Sequence, residues 1–222
     1  MSRIIWDATG ERFYETGVKQ AVLYPKDASG NYPKGVAWNG LTAVTESPSG
    51  AEANPLFADD TKYVILMSKE EFGATIEAYT YPDEFAACDG SASVMDGVTI
   101  GQQKRTAFGL CYRTVLGNDV SFDSFGYKLH IIYDSLASPS EKNYATVNDS
   151  PEAVTFSWEI SSTPVAVKGH EPTATMTIDS SKVDPDRLKA LEDVLYGTDV
   201  EGEDARLPYP DEIIQILNGE GA

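Results

Sequence analysis

Apolar and polar residues alternate with a period of two along many short segments, each cut off by Gly, Pro, Asn, Asp or Ser. That spacing sends successive side chains to opposite faces of an extended chain, so each segment reads as a strand with one buried face. From Phe72 to Tyr81, the residues Phe72, Ala74, Ile76, Ala78 and Thr80 share one face, while Thr75, Glu77, Tyr79 and Tyr81 share the other. Phe108, Leu110 and Tyr112 oppose Arg105 and Arg113, and Tyr127, Leu129, Ile131 and Tyr133 oppose Lys128 and His130. Val154, Phe156, Trp158 and Ile160 form an apolar stripe with Thr155, Ser157 and Glu159 facing away. Further strands are expected at Val18–Tyr24, Val36–Thr45, Lys62–Met67 and Thr173–Ile178. The pattern predicts a mainly β protein, an antiparallel β-sandwich or partial barrel.

One helix is well signed. Asp184 is a suitable N-cap and Pro185 fits the first helical position. Leu188, Leu191, Val194 and Leu195 then recur at helical spacing until Gly197 ends the run, which predicts a helix over about 185–196 that lids the sheet. Residues 1–197 are therefore expected to form one domain, followed by an acidic C-terminal arm over 198–222. In that arm Asp211–Leu217 can form a short helix with Ile213, Ile214 and Leu217 on its apolar side, marginal unless it packs against something. The segment 46–61, with Pro48, Ser49, Gly50, Pro55, Asp59 and Asp60, reads as a long loop between strands, and a loop of that length suggests a partner-binding arm.

Charge changes the picture. The chain of 222 residues carries 35 Asp and Glu against 17 Lys and Arg, a formal net charge of −18. Tight binding to nucleic acid, which needs cations to displace phosphate counterions, is disfavoured by that balance. The first residues, Met1 to Asp7, hold no apolar run of signal-peptide type, and no stretch is long enough to span a bilayer, so a cytoplasmic site of folding and no membrane are expected. Cys88 and Cys111 are the only cysteines and are expected to be free in a reducing compartment.

Catalytic patterns are absent from the sequence. It holds no phosphate loop, dinucleotide fingerprint, HExxH helix or nucleophile elbow, and His130 and His170 lack the close companions of a zinc site. The carboxylate pairs Asp83 with Glu84, and Glu70 with Glu71, are the kind that could flank a sugar as acid and base, but nothing selects either. The run Asp199, Glu201, Gly202, Glu203, Asp204 lacks the spacing of a calcium loop, and Asn148-Asp149-Ser150 matches a glycosylation sequon only formally. No catalytic residue, metal ligand or cofactor is assigned.

Several stretches resemble the major tail proteins of long-tailed phages that infect Gram-positive bacteria. They are MSRIIWDATGERFYETGV from Met1 to Val18, YPKGVAWNGLTAVTESPSGAE from Tyr32 to Glu52, and LMSKEEFGATIEAYTYPDEFAACDG from Leu66 to Gly90. The match continues in TIGQQKRTAFGLCYRT from Thr99, GYKLHIIY from Gly126, NDSPEAVTFSWEISSTPV from Asn148 and TIDSSKVDPDRLKALEDVLYG from Thr177, so that it covers most of the chain in order.

The resemblance implies a tail-tube type β-sandwich with one flanking helix. It implies hexameric rings that stack into a tube for passage of genomic DNA without specific binding. Tail tip or baseplate, tape measure and tail terminator proteins would be the partners, and the virion tail the location, after assembly in the host cytoplasm. On this expectation a like-charged lumen repels phosphate, and Glu46, Glu77, Asp83 and Glu84 are the candidate lining residues. Pro48, Pro55, Leu56 and Phe57 of the arm, with Ile213, Ile214 and Leu217 of the tail, are the candidates for contacts between subunits. Two other readings stay open: a decoration or binding module on the virion surface, and an acidic glycoside hydrolase.

Overall fold

The computed structural model describes residues 3–146, 149, 153–200 and 202–219. Asn148 and Ser150 of the formal sequon, and Glu201 of the acidic run, lie outside the described residues.

The chain opens with a long strand β1 (Phe13–Pro25), then β2 (Val36–Trp38) and β3 (Leu41–Glu46). Next come β4 (Ser49–Gly50), β5 (Ala53–Ala58), β6 (Thr61–Met67), β7 (Glu70–Glu71) and β8 (Gly73–Ala78). A 3₁₀ turn at Asp83–Phe85 and the short helix α1 (Ala86–Asp89) lead into β9 (Ala92–Met95) and β10 (Val98–Ile100). Two long strands, β11 (Phe108–Asn118) and β12 (Phe122–Ala137), follow, then β13 (Phe156–Ser162), β14 (Val165–Val167), β15 (His170–Thr173) and β16 (Thr175–Asp179). The chain finishes with α2 (Pro185–Tyr196) and α3 (Pro210–Asn218).

The main sheet is antiparallel, in the order β2-β1-β11-β12-β13-β8-β3, with β16 also paired to β12. β12 changes partner near Asp134, which holds a positive φ of 45°: residues Lys128–Ile132 pair with β16, and Ser135–Ala137 pair with β13. The sheet thereby folds back until β3 lies near β1 without bonding to it, so the expected partial barrel is found, mainly β and not closed.

Two cores form on opposite faces of the same strands. Inside the fold, Leu23, Phe108, Leu110 and Ile132 meet Ala74, Ile76, Trp158 and Ile160, with Trp38 and Phe85 wedged between them. On the outer face of β1, β11 and β12, Tyr24, Cys111, Leu129, Ile131 and Tyr133 are covered by Leu188, Leu191 and Leu195 of α2 and by Ile213 of α3. The period-two reading therefore holds for β8 and β13, whereas β11 is buried on both faces. The two cysteines sit in different cores, separated by the sheet, and are free. Burial pushes both thiols up to about 12.

Helix α2 starts as its sequence predicts: the Asp184 side chain accepts from the backbone N–H groups of Asp186 and Arg187, behind Pro185. Tyr24 Oη donates to the Leu195 carbonyl at 2.6 Å, tying the helix to β1. The C-terminal segment is not a free arm. Leu207 packs against the bare Cα of Gly109, and Ile213 is fully buried, so residues 205–218 belong to the folded domain.

Candidate assembly surfaces

The expected loop at 46–61 is instead the near half of a β arm. Ser47 N–H bonds to the Gly73 carbonyl, β4 pairs with β7 through Ser49↔Glu71 and Gly50↔Glu70, and β5 pairs with β6 from Ala53↔Met67 to Ala58↔Thr61. Two residues, Asp59 and Asp60, join β5 to β6, and both take positive φ, 48° and 57°. That is the type I′ geometry whose twist matches a hairpin. Along β5 and β6 every residue is exposed, including Leu56, Phe57, Tyr63, Val64, Ile65, Leu66 and Met67. Of the sequence-chosen contact residues, Pro48, Pro55, Leu56 and Phe57 thus all stand on this arm or at its base, open to solvent. None of the arm's residues belongs to either core.

In the tail the three chosen residues divide. Ile213 is buried and Leu217 packs against the second core, while Ile214 alone is exposed. Removing 207–217 would take Leu207 and Ile213 out of that core, so this segment cannot be cut away without unfolding cost.

The four acidic candidates do not share one surface. Glu77 lies on the outer face of β8, beside Ala43 of β3 and Ser157 of β13. Thr75 and Glu159 are paired on the same face, which is polar, acidic and uncovered by other elements. Glu46 pairs with Ala74, a core residue, and so points the other way, where its Oε1 accepts from Tyr112 Oη at 2.8 Å. Asp83 and Glu84 are exposed on the 3₁₀ turn at one end of the fold, and Glu84 lies 3.9 Å from the Lys34 ammonium. A single bore lined by β8 can take Glu77 and Glu159, but not Glu46.

A dense polar cluster spans β1, β11 and β12. Glu15 accepts from Lys128 Nζ at 2.5 Å and from Thr114 Oγ1 at 2.6 Å, and its Oε1 lies 3.1 Å from His130 Nε2. The His130 ring stacks on Tyr112, centroids 4.8 Å apart and 7° from parallel. Partial burial raises the Glu15 pKa, but Lys128, Thr114 and His130 outweigh it and hold the carboxyl below its ordinary range. His130 is thus a structural partner in the sheet, and His170 is exposed on β15.

The sites weighed for chemistry are not assembled. Glu70 and Glu71 are neighbours on one strand, with side chains on opposite faces. A cleft of about 610 Å³ runs along the edge of β1 past the end of β2 and has no carboxylate in its lining. Among the described residues no group of three or more His, Cys, Asp or Glu could hold a metal ion, and no helix is long and apolar enough to cross a membrane.

Two surfaces escaped the sequence reading. The hairpin of β9 and β10 exposes Val94, Met95, Val98 and Ile100, and its signal was Asp96-Gly97 between apolar residues, with Gly97 at φ 77°. The segment before β1 exposes Ile4, Ile5 and Trp6, whose only sequence signal was three apolar residues together.

No protein-family model and no curated protein matches the chain. Among solved structures, a chain of the anti-feeding prophage baseplate is similar over 82% of this chain and 100% of its own, at 10% identity and a TM-score of 0.37. A chain from the sheath/tube terminator of an extracellular contractile injection system covers 79% of this chain and 99% of its own, at 7% identity and a TM-score of 0.33. One from the sheath-tube complex of such a system covers 78% and 93%, at 9% identity and a TM-score of 0.31. TM-scores of this size do not define a common fold.

Proposed function

We propose that the chain is the major tail tube subunit of a long-tailed phage, a structural protein that forms stacked hexameric rings around a channel for DNA. The observation that carries the reading is the arm of β5 and β6, a two-stranded ribbon rich in large apolar residues with nothing covering it. A lone hairpin is marginal in water, and an apolar patch of this kind marks a surface that another protein covers. In a tube, copies of the same subunit would cover it, with the arm making the contact between rings. The sequence resemblance over most of the chain supports the same reading, as does a net charge of −18, which suits a bore through which phosphate must slide without sticking.

The proposed lining is the outer face of β3, β8 and β13, where Glu77 and Glu159 alternate with Thr45, Thr75 and Ser157. Tail tip, tape measure and terminator proteins are the proposed partners at the ends and inside of the tube.

The test is excision of the arm. Replacing residues 52–68 with a short Gly-Ser turn should leave both cores, and hence a cooperative thermal melt, intact. Concentrated wild-type protein should give hollow rods of constant width by electron microscopy, and the excised variant should give none. Rods from the variant would remove the arm's role. Wild-type protein that stays monomeric at every concentration would favour the decoration-module reading instead.

A further inference from the structure

The 610 Å³ cleft lies where the sheet fails to close. Its walls include Val18, Ala21, Ala37, Trp38 and Leu41, and its floor is the edge of β1 that runs on past the three-residue strand β2. β1 is bulged on either side of Lys19, with Gly17 at φ 70° and Gln20 at φ 52°, so this edge cannot pair regularly with another strand. An occupant must therefore be held by its side chains. In a chain with twice as many acidic as basic residues, the only charged residue lining the cleft is Lys19, which has no carboxylate within ion-pair distance among the described residues.

A segment of matching chemistry sits elsewhere on the same chain. Ile4, Ile5 and Trp6 are 69%, 75% and 75% exposed, and Asp7 follows them directly. The segment is aimed, not loose. Arg12 donates from Nε and Nη2 to the Asp7 carbonyl at 3.1 and 2.9 Å. Gly10 N–H donates to Asp119 Oδ1 at 3.0 Å, and Asn118 Nδ2 donates to the Gly10 carbonyl at 3.1 Å.

That clamp limits how far the segment can reach along its own chain. Gly10 is fixed at Asn118, at the far end of β11, whereas Val22 in the cleft pairs with Cys111. Seven residues of strand put about 23 Å between the two. The six residues from Gly10 back to Ile4, the far end of the segment, span at most about 21 Å. Even fully stretched, a chain's own segment stops short of the Val22 end of its own cleft.

We propose that Ile4–Asp7 of one copy docks in the β1–β2 edge cleft of a second copy, with the apolar side chains against Ala21, Trp38 and Leu41 and Asp7 facing Lys19. Segment and cleft are different surfaces of the same chain, so the contact is head-to-tail. Each copy offers one of each, and repetition gives a ring or an open helix instead of a closed pair. The inference shares with the tube reading only the premise that copies associate.

Disulfide trapping between copies tests it, because the native thiols are buried and held up to about 12, far from the reactive range. Full-length Trp6→Cys protein is mixed with Asn39→Cys protein and oxidised, each variant being at an exposed position. The expected result is a cross-linked dimer at least several-fold stronger in the mixture than in either variant alone, or than in Trp6→Cys mixed with Val94→Cys. Adding Lys19→Glu to the Asn39→Cys copy should weaken the band, and Asp7→Lys in the other copy should restore it. Equal bands in all mixtures, or none, would overturn the proposal. Rods seen by microscopy without the specific band would sink this contact and leave the tube reading standing; the band without rods would do the reverse.

Discussion

At the level of single residues, the most informative group is Glu15. It stitches the exposed half of β1 to β11 and β12 through Lys128, Thr114 and His130, partners that lie about a hundred residues away in sequence. No spacing rule along the chain could find such a cluster, because the register of three long strands creates it. Glu15's carboxyl titrates below the ordinary value of 4.5, so the folded state binds its proton less readily than the unfolded state does. The group therefore adds stability above the unfolded value, and this is lost as pH falls through the lower, folded value. Glu15→Gln should accordingly lower the melting temperature at neutral pH, and the gap to wild type should close as pH drops below about 4. Melting curves of both proteins between acid and neutral pH check this, and a gap that persists at the acid end would show that Glu15 acts by packing alone.

At the level of elements, period-two spacing located the core strands and capping signals placed α2 to the residue, because one buried face imposes the period and one carboxylate fixes the start. The arm was harder. Pro48 and Pro55 suggested a loop, since proline cannot donate to a ladder. A two-stranded ribbon, however, leaves half its N–H groups without a partner in any case, so Pro55 can sit opposite Ile65 at no loss. The exposure of the whole arm was also illegible, because YVILM reads as a core strand when only its composition is seen. The turn offers a direct check. Asp60 holds a φ of 57°, which an L side chain adopts at a cost of about 1 kcal/mol and glycine does not. Asp60→Gly, giving the Asp-Gly turn that type I′ hairpins prefer, should stabilise the arm by roughly 0.5 kcal/mol after glycine's greater chain entropy is subtracted. Hydrogen exchange at Leu56 and Val64 should then slow by about twofold, while the core amides stay unchanged. Faster exchange would mean that the turn is held by contacts of the Asp60 side chain instead of by its backbone.

For the whole molecule, the balance is between apolar surfaces that favour association and a net charge of −18 per copy that opposes it. The arm, the β9–β10 hairpin and Ile4–Trp6 together leave many large side chains in water, more than a chain destined to stay alone would be expected to show. Like charge keeps free copies apart, and its reach is set by salt: the Debye length is about 30 Å at 0.01 M and about 3 Å at 1 M. Apolar contact does not weaken with salt, and sulfate or phosphate strengthens it. Self-assembly should therefore begin at lower protein concentration as sodium chloride rises from about 0.01 M to about 0.5 M, and at lower concentration still in sulfate of equal ionic strength. Light scattering across a protein dilution series, with rods counted by microscopy at each salt, gives the slope. The opposite slope, with salt dissolving the assembly, would mean that ion pairs between copies such as Lys19 with Asp7 outweigh the repulsion. Charge would then be the glue of the lattice, and the hairpin's apolar face would need a partner other than a second copy of this chain.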